Sequence, residues 1–360
     1  SGPPYSPVSL ERLIEGTRSL LRDCLHEPFE IANPRWLSGG TSKLQMAFDL
    51  SWNKPVAGRA TEGMVLRMEP AESLVETSRW REFELVTKLQ GRLPLPIAHW
   101  MDADARHFPY PALIYSMVEG VTTPSTAQER VSGMGLNFGP KYRPTLTDQF
   151  IRDIAALHTV DPASLELESF DLPASPAQAA EWQINWWERI WDEDYVFDVP
   201  LVHVAINWLR DNLPEGDRLS IVHGDFRNGN FLFRESDGEI TAWLDWELSH
   251  IGDRHEDLAY LLQHAYGHYA EDGKTYLVCG LTDRADFLRR YEAATGLPIV
   301  TKTLKFYEVL NLFKCAAITR ATSPRILMGG KCHQDTVVAY AHGISYLLME
   351  ELRRTLEEVI

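Results

Sequence analysis

Residues 221–253 constrain what this chain can fold into more than any other stretch: they read IVHGDFRNGNFLF, a short polar turn, then ITAWLDWELSHIGD. The apolar runs 219–222 and 231–233 read as strands around a tight polar loop. Residues 240–244 read as a returning strand after Ser236-Asp237-Gly238-Glu239, a hairpin-type turn. That order of strand, loop and hairpin holds Asp225, Asn230 and Asp245 close together. Two carboxylates and a carboxamide are oxygen donors of the kind a hard cation such as Mg²⁺ takes. Phosphoryl transfer asks a protein mainly to position reactants and neutralise charge, and this donor set suits that task.

The loop itself reads His223-Gly224-Asp225-Phe226-Arg227-Asn228-Gly229-Asn230. The corresponding loop of protein kinases carries an Asp base, a basic residue two positions on and an Asn metal ligand five positions on, and all three offsets are met here. At these residues the chain resembles the aminoglycoside phosphotransferase family, small-molecule kinases of bacteria that share the protein-kinase fold. The resemblance implies an α+β, two-lobed protein-kinase-like fold, with a small antiparallel-sheet N-lobe and a larger, mostly helical C-lobe. It implies that Asp225 accepts the proton of an attacking hydroxyl and that Arg227 stabilises charge on the transferring group. Asn230 and Asp245 are then the Mg²⁺ ligands. The DFG triplet of protein kinases is replaced by Asp245-Trp246-Glu247. Gly252-Asp253 and Asp257-Leu258-Ala259 resemble the family's GDP..DLA segment, with Arg254 where proline is usual. Asp257 reads as structural, bonding catalytic-loop backbone, and His223 as bonding within the loop.

The same resemblance places a nucleotide side in the N-terminal part. Trp36-Leu37 followed by Ser38, Gly39, Gly40, Thr41 and Ser42, then alternating apolar residues, looks like a strand, a phosphate-covering turn and a second strand. Arg67, in the strand 64–68, stands where kinases place the basic residue that grips phosphates, and a guanidinium can do so bidentately. Residues 74–89 follow a helical period and supply its partner, Glu82 in preference to Glu76. A buried run ending in VEG matches the family's hinge, and Ser116, Met117 and Val118 are the positions expected to meet adenine through their backbone. Neither GxxxxGK[ST] nor GxGxxG occurs, which argues against P-loop and Rossmann sites.

With 360 residues the chain is expected to divide into a nucleotide lobe over 1–118 and a catalytic and substrate lobe over 119–360. No apolar run is long enough to span a membrane, and no signal-peptide pattern is present. The four scattered cysteines predict reduced thiols and a cytoplasmic protein. His264 and His268, four apart on an expected helix near His250 and His255, lack a supporting catalytic motif for a metal site. The formal net charge of −16 opposes nucleic-acid binding and is compatible with a cationic substrate.

Acceptor choice is expected in the C-terminal part. Trp182, Trp186, Trp187 and Trp191 lie in a helical stretch with acidic residues between them. Such a face usually means core. The functional version is an aromatic, partly acidic wall for a ring-bearing or amphipathic alcohol, with Trp187, Trp191 and Glu247 as substrate contacts. The Gly- and Pro-rich segment 122–147 reads as a flap. Residues 8–24, 148–158, 201–213, 306–320 and 336–360 read as helices, with Lys314, Arg320 and Arg325 as surface charge. The reading is an ATP-dependent O-phosphotransferase acting on a small-molecule alcohol, with GTP an open alternative donor. Two other readings stand beside it: a nucleotide-binding pseudokinase and a kinase of a lipid-like alcohol.

Overall fold

The computed structural model describes residues 3–37, 43–54, 58–125 and 134–360. It is an α+β, two-lobed fold. Helix α1 (Leu10–Leu25) precedes a five-stranded antiparallel sheet of β1 (Glu30–Trp36), β2 (Leu44–Lys54), β3 (Gly58–Met68), β4 (Ala98–Asp102) and β5 (Ala112–Ser116), in the order β1-β2-β3-β5-β4. Helix α2 (Arg79–Lys88) sits between β3 and β4. It is shorter at its start than the periodicity of 74–89 predicts, because the Ser78 hydroxyl caps it by accepting from the Arg81 N–H at 3.4 Å.

Strand pleating divides the duties of β3. Met64, Leu66 and Met68 are buried against Leu13, Leu20 and Leu21 of α1 in one apolar cluster, while Val65 and Arg67 line a cavity on the opposite face. Side chains alternate across a strand, so one face builds the core and the other faces the cleft.

The remaining chain is mostly helical: α3 (Gly139–Thr159), α4 (Pro176–Asp194), α5 (Pro200–Asp211), α6 (His255–Leu261), α7 (Arg284–Thr295), α8 (Thr301–Ala316), α9 (Ser323–Met328) and α10 (Asp335–Glu357). Among them run short antiparallel pairs. Strand β6 (Ser220–Val222) pairs with β9 (His250–Gly252), β7 (Phe231–Phe233) with β8 (Ile240–Trp243), and β10 (His268–Tyr269) with β11 (Tyr276–Leu277). Helix α3 begins well before the expected 148, so residues 139–147 are helical and not flap; residues 126–133 of that expected flap lie outside the described residues. A π-helical turn, Ala317–Thr322, follows α8. His264 and His268, expected on one helix, lie in a 3-10 turn and in β10. Among the described residues, no helix is long and apolar enough to cross a membrane.

An aromatic cluster seats the loop between β6 and β7. Phe226 stacks on Trp243 at 3.8 Å between centroids, and Phe150 of α3 meets Phe226 edge-on at 5.0 Å and Trp243 at 5.1 Å. The Trp243 indole N–H donates to Asp153 at 2.9 Å, so burial leaves it satisfied. Truncating a buried aromatic loses its transfer free energy and leaves a cavity. Phe150→Ala is therefore expected to lower unfolding stability by about 3–5 kcal/mol. Denaturant titration of the variant checks this, and a loss below about 1 kcal/mol would mean that the cluster repacks around the gap.

Candidate active site

The loop 223–230 is clamped from beneath by one carboxylate. Asp257, fully buried in α6, accepts the His223 N–H at 2.7 Å and the Gly224 N–H at 2.8 Å. Burial alone raises a carboxyl pKa, but the His158 hydrogen bond and charges around Asp257 hold it below its ordinary value. His158 lies 3.1 Å from Asp257 through Nε2 and 2.8 Å from the Tyr291 hydroxyl through Nδ1. His223 donates from Nε2 to the Leu244 carbonyl at 3.0 Å and accepts the Asp225 N–H at Nδ1, 3.2 Å away. That pair of bonds requires the neutral ring, and burial pushes the His223 pKa down. Gly224 has φ +81°, and a Cβ there would stand 2.7 Å from the Leu248 carbonyl oxygen, so glycine is required.

These clamps present Asp225. Its Oδ1 accepts from Arg227 Nε at 2.8 Å and its Oδ2 from Asn230 Nδ2 at 2.7 Å. The Asn230 Nδ2 also donates to the Asp225 carbonyl at 2.8 Å, which turns the carboxamide oxygen away from Asp225. Arg227 lies over the Tyr266 ring at 5.1 Å.

Asp245 follows β8 with φ +69°, a left-handed conformation that aims its carboxylate back toward β3. Arg67 donates to Asp245 and, at 2.9 Å, to Glu82 of α2. Burial pushes the Asp245 pKa up, but the Arg67 charge outweighs it and the carboxyl titrates below its ordinary value. Tyr115 donates to Glu82 at 2.9 Å. Glu76, the other candidate partner, instead pairs with Arg189 at the surface.

Around this core lies a buried ion network in which Glu247 joins Lys43, Glu69 and Arg79, three residues that sequence reasoning missed. Glu247 Oε2 is 3.1 Å from Lys43 Nζ, 3.0 Å from Arg79 and 3.4 Å from Arg67. Glu69, at the end of β3's run, is 2.5 Å from Lys43 and 2.7 Å from Arg79. Glu247 is thus engaged by three cations, and it also lines a second cavity described below. Lys43 directly follows Ser38–Ser42, all five of which lie outside the described residues.

A cavity of about 560 Å³ opens between these groups. Leu37, Val65 and Met117 line it together with Leu232 and Trp243, and Arg67, Asn230 and Asp245 lie along the same wall. The three hinge positions are not equivalent. Ser116 N–H donates to Ile97 at 2.9 Å and Met117 N–H to Gly63 at 2.8 Å, so neither is available to a ligand. Among the described residues the Val118 N–H has no protein acceptor.

A second cavity of about 580 Å³ is lined by Phe170, Trp182, Trp186, Trp187, Leu248 and His250, among others. Trp191 is wholly buried and stacks on Tyr195, and Trp187 is 2% exposed. Trp191 therefore belongs to the core, against the expectation that it contacts substrate, while Trp187 lends only an edge to the cavity lining. Trp182 and Trp186, at 40% and 37% exposure, present the open aromatic faces. His250 lies 3.1 Å from the Leu248 carbonyl and 3.0 Å from Glu256, so both ring nitrogens face acceptors. Burial lowers its pKa, but Glu256 reverses this and raises it. Glu76, Asp171 and Glu247 line the same cavity together with Arg81, so its polar groups carry both signs. Lys314, expected at the surface, is 1% exposed. Arg320 lies over Tyr346, and Arg325 pairs with Asp194 and Glu72.

The profile of the phosphotransferase enzyme family APH matches residues 56–299. The chain belongs to that family. It is accordingly a small-molecule phosphotransferase in family and fold. Acyl-CoA dehydrogenase family member 11 of Homo sapiens is 26% identical to this phosphotransferase over 293 residues, 76% of this chain and 35% of that protein. Acyl-CoA dehydrogenase family member 10 of Mus musculus is 26% identical over 281 residues, 75% of this chain and 25% of that protein. The chain thus spans about a third of the length of the first of these relatives. A Ralstonia eutropha structure provisionally described as an aminoglycoside phosphotransferase superposes with TM-score 0.69 at 23% identity, covering 96% of this chain and 98% of that one. The choline kinase of Streptococcus pneumoniae gives 0.60 at 16%, covering 96% and 99%. Aminoglycoside phosphotransferase APH(4)-Ia, in a ternary complex with ADP and hygromycin B, gives 0.57 at 15%, covering 93% and 97%. At these identities the likeness speaks for the fold.

The loop clamp has a pH signature. Burial holds the His158 pKa below its ordinary 6.5, so the unfolded chain binds a proton the folded one refuses. This contribution is present above pH 6.5 and is lost as pH falls through the lower folded value. The melting temperature is expected to fall between about pH 7.5 and 5.5, and to fall less in His158→Gln. Thermal unfolding of both proteins at the two pH values checks this; equal slopes would contradict it.

Proposed function

We propose that this chain transfers the γ-phosphate of ATP to a hydroxyl of a small molecule, with Asp225 as the base. The observation that carries the reading is the setting of Asp225. Its carboxylate is held between Arg227 and Asn230, on a loop whose Asn230 also lines the cavity shared with Asp245 and Arg67. Asp225 accepts the hydroxyl proton as the alcohol oxygen bonds to phosphorus, and the bond from phosphorus to the leaving oxygen of ADP breaks. Arg227, two residues on, faces charge on the transferring group. The adenine would meet the Val118 N–H, which has no protein acceptor among the described residues, between the nucleotide-side segment 1–118 and the catalytic segment 119–360.

The residues present fit a magnesium ion. Asn230 directs its amide nitrogen to Asp225, leaving its oxygen for a ligand, and Asp245 is an oxygen donor held ionised by Arg67. Mg²⁺ keeps few protein ligands and completes its shell with water and phosphate oxygens, which a carboxylate and a carboxamide allow. When bound, the ion neutralises the charge of the polyphosphate. Arg67 contributes on the same side, gripping phosphate from a position fixed by Glu82.

The acceptor we infer is an amphipathic, acyl-bearing alcohol. Two observations favour it over a polycationic sugar. The second cavity presents the apolar surfaces of Trp182, Trp186, Phe170 and Leu248. The matched relatives are named acyl-CoA dehydrogenases, so a phosphotransferase segment joined to them would share an acyl substrate.

Asp225→Asn is expected to reduce ADP formation by 10²-fold or more while nucleotide still binds, and Asp245→Asn to weaken Mg-nucleotide binding as well. Both are measured by ADP release and calorimetry. Wild-type turnover in Asp225→Asn would remove the base assignment. A screen for ADP production across hydroxyacyl thioesters, hydroxy acids, aminoglycosides, macrolides and amino alcohols tests the acceptor class. A preference for the aminoglycosides would refute the acyl reading, and Trp186→Ala should raise the acceptor KM by about 10-fold with little change in that for ATP.

A further inference from the structure

We propose that Lys314 is a positioning residue for Asp225, acting by holding the Gly224 carbonyl. The inference rests on Asp225 being the base. Helix α8 is buried on nearly every side, and its interior positions beside Lys314 are Phe313 and Cys315. A lysine there is costly, because desolvating an ammonium takes several kcal/mol unless partners compensate. Its partners all belong to the catalytic region. Lys314 Nζ donates to the Gly224 carbonyl, lies 3.9 Å from Glu256 Oε1, and faces the rings of Tyr260 at 4.7 Å and Trp187 at 5.8 Å.

Gly224 is therefore fixed at both ends. Asp257 takes its N–H at 2.8 Å and Lys314 takes its carbonyl. The peptide that joins Gly224 to Asp225 is the one whose carbonyl Lys314 holds, so its rotation swings the base directly. Glycine at φ +81° offers little resistance to such rotation by itself. The other oxygen of Glu256 is 3.0 Å from His250, a lining residue of the tryptophan cavity. A line of contacts thus joins the acceptor cavity to the catalytic loop through the ammonium. Immediately beyond Lys314 the helix widens into the π-turn Ala317–Thr322, a distortion frequent at functional sites.

A displacement of the base by about 1 Å costs roughly 10²-fold in rate. Lys314→Met and Lys314→Gln in the full chain are expected to lower kcat by that order, with the KM for ATP within about threefold of the parent. Gln, which can still donate to a carbonyl, should retain more activity than Met. Hydrogen exchange of the amides in residues 221–231 should accelerate at least tenfold in Met, with binding of Mg-AMP-PNP retained by calorimetry. Turnover is measured with an acceptor from the screen or, lacking one, with water. Wild-type exchange rates in both variants overturn the proposal whatever the turnover. An equal loss of nucleotide affinity and kcat also overturns it, since that is general damage. Faster exchange in a chain that releases no ADP with any acceptor upholds the positioning of Asp225 and counts against the kinase reading alone.

Discussion

Arg67 carries the junction of the two lobes. One guanidinium, on β3, reaches Glu82 on α2 and Asp245 after β8, so a strand, a helix and the candidate metal-binding loop share a single charge. Its position is over-determined by Lys43 and Arg79, which meet the same set of carboxylates through Glu247 and Glu69. Such a network is weak grounds for claiming stability, because desolvation offsets most of the attraction. Its worth lies in geometry. Removing one member leaves a buried charge uncompensated, so the network has few alternative arrangements.

How much of this was legible in the sequence depended on distance along the chain. Asp225, Asn230 and Asp245 lie within one short stretch, and Arg67 and Glu82 are 15 residues apart. Short motifs could therefore carry the family resemblance that named them, and the structure brings them together. Arg79 meets Glu247 across 168 residues, and Lys314 meets Gly224 across 90. No periodicity reports a contact of that kind. For Lys314 a signal was nonetheless present: the helix around it is apolar on almost all sides, and a helix of that composition is buried, lysine included.

The tryptophans failed for a different reason. Helical spacing shows which of them share a face, but a face turned to the core and a face turned to a cavity have the same composition. Trp191 went to the core, Trp187 to the boundary between core and cavity, and Trp182 and Trp186 to the opening. The acidic residues that line the second cavity, Glu76, Asp171 and Glu247, come from outside α4, which the spacing of that helix could not report. Helix α2 was overextended because the apolar rhythm of 74–89 continues past the point where Ser78 can cap the first turn.

The pleat of β3 carries an evolutionary consequence. Met64, Leu66 and Met68 pack against α1, and Arg67 faces the cleft only because it falls between two of them. A strand shifted by one residue would send every side chain to the opposite face. Insertion or deletion of a single residue between Gly58 and Met68 would thus drive a guanidinium into hydrocarbon and a methionine into the cleft. Such a strand tolerates a substitution on either face more readily than a change of length.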